Sequence, residues 1–193
     1  LSALRRKNPN RVVIIGSTDY NSPYRLRDLR LYDDENVIYT FHTYMPFEFT
    51  HQRGVLVPDT LYYNRVMPYP CDDIERYRDY YRVVHNNDNM YPNYTKMDKT
   101  YIRDSLSGAK EFTEKHPDKI LWCGEFGTIR HCPIQYRENW MTDIISLMKE
   151  WDIPYSVWNY LSTPNDGNRF SLVDDDTRKI LSPRLLEIIR GNV

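Results

Sequence analysis

Apolar and polar positions along this chain fall into two kinds of segment. Four short runs are apolar with almost no alternation: RVVIIGS (11–17), NVIYTFHTY (36–44), KILWCGEFG (119–127) and PYSVWNY (154–160). Runs of this length, rich in β-branched residues, read as strands buried on both faces. Between and after them the apolar residues recur at helical spacing. Ile102, Leu106, Ala109 and Phe112 predict a helix from about Lys99 to Lys115. Trp140, Ile144, Ile145, Leu147, Met148 and Trp151 predict another over 135–151, and Leu185, Leu186, Ile188 and Ile189 a last one beginning near Ser182-Pro183. LSALRRKN (1–8) has the basic end and following proline of a closing helix turn. Residues 25–36 are helix-like or loop. The stretch from Met45 to about Met97, full of prolines and tyrosines, is expected to be irregular, with the length of a lid or binding surface.

Strands buried on both faces and alternating with helices imply an α/β fold of parallel (β/α) units. Four such units suit either a small open sheet or half of a (β/α)8 TIM barrel, since a full barrel takes about 250 residues. In both, the working residues stand just past the carboxyl ends of the strands. Here those ends carry Ser17-Thr18-Asp19, then His42-Thr43-Tyr44, then Glu125, then Trp158-Asn159-Tyr160. His42 and Tyr44, two apart on a strand, share a face. A carboxylate, an imidazole, a phenol and an indole on one rim suit carbohydrate cleavage: the indole supports a sugar face, and the carboxylate meets positive charge developing at the anomeric carbon.

Composition narrows the partners. The chain has 193 residues, with 26 Lys+Arg against 27 Asp+Glu, so no basic excess favours nucleic acid or a membrane surface. No apolar run reaches the roughly 20 residues of a spanning helix. Aromatic residues make up 14% of the chain, and a run of tyrosines from Tyr62 to Tyr101 fits sugar stacking as well as core packing. Cys71, Cys123 and Cys132 have no metal-ligand spacing, and spacing alone leaves a Cys71–Cys132 disulfide open. His85, His116 and His131 lack partners at ligand spacing, and Asp174-Asp175-Asp176 reads as a solvated turn, so no metal or other cofactor is expected. The sequon Asn93-Tyr94-Thr95 is a single short match.

FHTYMPFEFTHQ (41–52), WCGEFG (122–127), SVWNYLS (156–162) and FSLVDDDTRKILSPRLLEII (170–189) closely resemble the carboxyl-terminal half of glycoside hydrolase family 5, the cellulase-like retaining β-glycanases of clan A. The resemblance spans nearly the whole chain, and it makes residues 1–193 one domain segment matching barrel strands five to eight. It implies an endo-β-1,4-glucanase acting on β-glucan polysaccharide or oligosaccharide, and hence a secreted or periplasmic protein. Glu125 is implied as the nucleophile, with Tyr44 orienting its carboxylate and His42 lining the same subsite. Trp158 is implied as the floor under the cleaved sugar, with Asn159 beside it, and Glu48, His51 and Gln52 as contacts to neighbouring sugars. Retaining hydrolysis needs a second carboxyl about 5–5.5 Å from the nucleophile. The family takes it from an Asn-Glu pair, and no Asn-Glu dipeptide occurs in residues 1–193; the arginine that usually flanks the nucleophile also has no counterpart. The acid/base is therefore expected from residues outside the chain: from an amino-terminal half-barrel or, in a less favourable geometry, a second copy. A non-catalytic carbohydrate-binding half-barrel is the alternative.

Overall fold

The computed structural model describes residues 1–163 and 166–191. Three strands, β1 (Val13–Gly16), β2 (Val37–Thr43) and β3 (Ile120–Phe126), form one sheet in that order, parallel throughout. Val13 pairs with Val37 and Ile38 with Ile120, so all three strands point their carboxyl ends the same way. Tyr39, Phe41, Leu121, Cys123 and Phe126 turn to one face and are buried with Trp140, Met141, Ile144 and Ile145 in the main core. Ile38, Thr40 and His42 turn to the other face. That face is more open: Ile14 and Ile120 are about half exposed.

The helices follow from the apolar spacing, with three departures. α1 (Ser2–Lys7) ends at Asn8, tied by the Arg5–Asp34 ion pair at 2.7 Å. The next turn, α2 (Thr18–Asn21), is left-handed at Asp19, Tyr20 and Asn21, and a 3-10 helix follows over Pro23–Asp28. The stretch expected to be irregular holds α3 (Phe47–Thr50), α4 (Pro58–Tyr63) and α5 (Glu75–His85). α5 buries Tyr77 and Tyr80 as its inner stripe and spaces Glu75, Arg78 and Arg82 as ion pairs outside. The helix predicted over 99–115 is two, α6 (Lys99–Ser105) and α7 (Ser107–Lys115). Ser105 Oγ donates back to the Ile102 carbonyl, and Gly108 approaches Pro23 so closely that a Cβ would sit 2.3 Å from its oxygen; the bend delivers that contact. α8 (Ile134–Glu150) and α9 (Pro183–Arg190) stand where expected, the latter capped by Ser182 Oγ accepting from Leu185 N–H.

The fourth run does not form a regular strand. Residues 154–158 lie along β3 with one parallel bridge, Cys123 to Tyr155. Cys123 N–H donates to Pro154 O, Ser156 N–H to Cys123 O and Trp158 N–H to Phe126 O, each at 2.9 Å. Pro154 has no N–H to continue the ladder, so pairing stays intermittent. Among the described residues, no helix is long and apolar enough to cross a membrane, and all three cysteines are free and buried.

Candidate active site

β2 delivers His42 as its penultimate residue and Tyr44 just beyond its end. Their partner on β3 arrives through a bulge. The register runs Phe41 to Cys123 and then His42 to Glu125, leaving Gly124 as the extra residue. Strict alternation from Trp122 would turn Glu125 toward the helices; the inserted residue returns it to the face of His42. Only glycine fits the bulge, because a Cβ on residue 124 would lie 2.8 Å from Thr40 Oγ1 and 3.0 Å from His42 Nε2.

Tyr44 Oη donates to Glu125 Oε2 at 3.0 Å, and His42 Nδ1 lies 3.5 Å from the same oxygen. Burial, then the Glu125 charge, push the Tyr44 hydroxyl far above its ordinary range, so it stays protonated and remains a donor. Burial lowers the His42 pKa while Glu125 opposes the shift. The Tyr44 ring is held edge-on between His51 and Phe170, with centroids at 5.2 and 5.8 Å. With Oε2 held, none of the described residues donates a hydrogen bond to Oε1, and the carboxylate is partly exposed on the open side of the sheet. Among the described residues no second carboxylate bonds to this trio, and no group of three or more His, Cys, Asp or Glu is placed to hold a metal ion.

Trp158 is 45% exposed, with its backbone tied to Phe126, the residue after Glu125. Gly127 lets the chains meet here, since a Cβ would lie 2.1 Å from the Trp158 carbonyl oxygen. Asn159 turns its amide oxygen to Ser162 Oγ at 3.4 Å, and its backbone carbonyl accepts from Leu172 N–H.

Glu48, His51 and Gln52 require a correction: their side chains lie inside the loop after β2 instead of facing neighbouring sugars. Glu48 is fully buried and accepts hydrogen bonds from Tyr91 Oη and, at 3.4 Å, Tyr81 Oη. Gln52 clamps the backbone of Met67, donating to its carbonyl at 3.2 Å and accepting from its N–H at 3.0 Å. His51 is buried against Tyr44, Phe47 and Phe170, with Nδ1 2.9 Å from Thr50 Oγ1. These polar atoms go to folding the loop that carries Tyr44.

Two residues at this rim were missed by sequence reasoning. Asn21 reaches His42 from the left-handed turn after β1. Arg137, buried on α8, donates through Nε to Thr128 Oγ1 at 3.0 Å and through Nη2 to the Ser171 carbonyl at 3.2 Å. It thereby joins the loop after Glu125 to the loop that receives Asn159. Its signal was present: Arg137 falls in register with Trp140, Met141 and Ile144 on the apolar face, where a cation must find internal acceptors.

Sheet, helices and rim together define an α/β protein of the barrel class, represented here by half of the barrel. A family model described as cellulase (glycosyl hydrolase family 5) matches residues 1–163. Endoglucanase C of Acetivibrio thermocellus is 37% identical over 193 residues, which cover 98% of this chain and 53% of that protein. Endoglucanase C307 of Clostridium sp. (strain F1) has the same identity and coverage. Among solved structures, a hyperthermophilic endo-β-1,4-glucanase in complex with substrate superposes with a TM-score of 0.72 at 25% identity, over 98% of this chain and 51% of that one. The chain belongs to glycosyl hydrolase family 5. It spans about half the length of the curated relatives it matches.

Proposed function

We propose that this chain supplies the nucleophile half of a retaining endo-β-1,4-glucanase, with Glu125 attacking the anomeric carbon of a β-glucan. The observation that carries the reading is the trio: Tyr44 and His42 both face one oxygen of Glu125, and none of the described residues donates to the other on the open rim. Attack would form a C1–Oε1 bond as the glycosidic C1–O bond breaks, giving a covalent glycosyl-enzyme. The Tyr44 hydrogen bond orients the carboxylate for that attack. Trp158 offers the nearby sugar an apolar face, and Asn159 an adjacent polar contact. The acid that protonates the leaving oxygen is assigned to residues outside this chain, carried by an amino-terminal half-barrel closing over the exposed Ile14 and Ile120 face or, less favourably, by a second copy. A polymeric glucan substrate implies a secreted or periplasmic protein.

The nucleophile role can be tested without the acid. A 2-fluoro cellobioside bearing a dinitrophenolate leaving group needs no protonation, so the chain as it stands should become labelled by one glycosyl unit on the peptide holding Glu125. E125Q should take up no label and still bind cello-oligosaccharide. Labelling elsewhere, or equal labelling of E125Q, would remove the assignment. Oligosaccharide binding with no labelling of the wild type would favour the non-catalytic carbohydrate-binding alternative.

A further inference from the structure

The turn after β1 holds three left-handed residues in a row at this rim. Asp19, Tyr20 and Asn21 have φ of 53°, 57° and 63°, three successive non-glycine residues in the left-handed region. Each costs roughly 1–2 kcal/mol there, and such outliers persist only where the surroundings impose them. The surroundings here are specific. Ser17 Oγ donates to Ser22 O at 2.8 Å across the turn, and Arg25 Nε donates to Asp19 Oδ2 at 2.6 Å. The result of this strain is the position of one amide. Asn21 lies directly over Gly16, where a Cβ would come within 2.0 Å of Asn21 Oδ1. Its Nδ2 then stands 3.5 Å from His42 Nδ1 and 3.4 Å from Nε2. Near-equal distances to both ring nitrogens place the amide nitrogen over the face of the imidazole, because in the ring plane it would collide with the carbon between them. An N–H directed at an aromatic face is a weak attraction, and its positive end disfavours a cation beneath it.

We infer that Asn21 is a positioning residue that holds the His42 ring in place and keeps it uncharged beside Glu125. The inference rests on the reading of Glu125 and His42 as one site. Among the described residues, the groups facing His42 are Glu125 and Gly124 from β3, the Tyr44 hydroxyl sharing Glu125 Oε2, and the Asn21 amide from the turn. The turn's own charges, Asp19 and Arg25, are paired with each other. A neutral ring next to the carboxylate leaves Glu125 free of an ion pair that would blunt its attack.

The test is an NMR titration of the His42 ring in the whole chain, assigned by loss of its signal in H42N. N21G keeps the left-handed backbone and removes the amide; N21D replaces the amide with a carboxylate over the ring. The His42 pKa should rise by roughly half a unit in N21G and by about one unit or more in N21D. N64G, at another left-handed asparagine (φ 49°), should leave it unmoved. An His42 pKa within 0.2 unit of wild type in both Asn21 variants would overturn the inference, as would an equal rise in N64G. The titration uses no sugar, so its outcome is separate from that of the covalent labelling: labelling that fails while the titration shifts leaves the positioning intact and removes only the hydrolytic reading.

Discussion

Glu48 gives this fold a pH dependence of unusual sign. Its carboxyl is fully buried where the loop after β2 meets the tyrosine-rich excursion, and burial raises its pKa to about 7, against the lowering effect of the Tyr91 and Tyr81 hydroxyls. In the unfolded chain it titrates near the ordinary 4.5. Between these values the folded state holds a proton that the unfolded state has lost, so raising the pH withdraws stability. A gap of about 2.5 units corresponds to about 3 kcal/mol in all, of which about 2.5 kcal/mol is lost between pH 5 and pH 8. His51 acts in the opposite sense. Burial lowers its pKa to about 4 from 6.5, so it must charge on unfolding in acid, and over the same interval it returns about 2 kcal/mol as pH rises. The two contributions nearly cancel, while His42, His131 and Asp143 are shared by wild type and variant. E48Q removes only the first contribution, so between about pH 5 and about pH 8 its urea stability should gain about 2.5 kcal/mol relative to wild type. An E48Q profile parallel to wild type would refute the buried, proton-holding carboxyl, whatever the absolute cost of the substitution.

Two further outcomes follow from the rim. Y44F removes the 3.0 Å hydrogen bond to Glu125 while keeping the ring between His51 and Phe170; labelling by the activated glycoside should slow by roughly 10- to 100-fold, the size of a bond to a charged acceptor, with urea stability within about 1 kcal/mol. An unchanged labelling rate would mean that Tyr44 does not orient the carboxylate. R137M keeps the side-chain bulk but strands Thr128 Oγ1 and the Ser171 carbonyl; it should cost about 2–3 kcal/mol by urea unfolding, and a loss below about 0.5 kcal/mol would show that the loops hold without it.

What the sequence disclosed depends on how far each signal reaches along the chain. Strands β1 to β3 were legible because their apolar residues run consecutively, although β1 is only partly buried and one face of the sheet stays open, and α8 and α9 because their stripes are mainly aliphatic. α5 was not, because its stripe is Tyr77 and Tyr80, residues that a count of aliphatic positions passes over, on a background of Glu75, Arg78 and Arg82. The bend between α6 and α7 depends on Gly108 meeting Pro23, a contact 85 residues away in sequence that periodicity cannot show. The same limit separates the site residues. His42 and Tyr44 could be grouped from spacing alone, but Glu125 faces them only because Gly124 is an extra residue in the ladder, so plain alternation would have aimed it at the helices. Glu48, His51 and Gln52 sit in the matching motif yet point inward, Gln52 to satisfy the Met67 backbone and Glu48 and His51 to meet hydroxyls of Tyr91, Tyr81 and Thr50, partners that no local pattern displays. Asn21 lies at the other extreme: its side chain occupies the space left by the missing Cβ of Gly16, five residues earlier, and a backbone twist with no sequence pattern of its own carries it there. Residues that build a site through strand period are thus readable in advance, and residues that build it through a bulge, a missing Cβ or a left-handed turn become visible only in the folded chain.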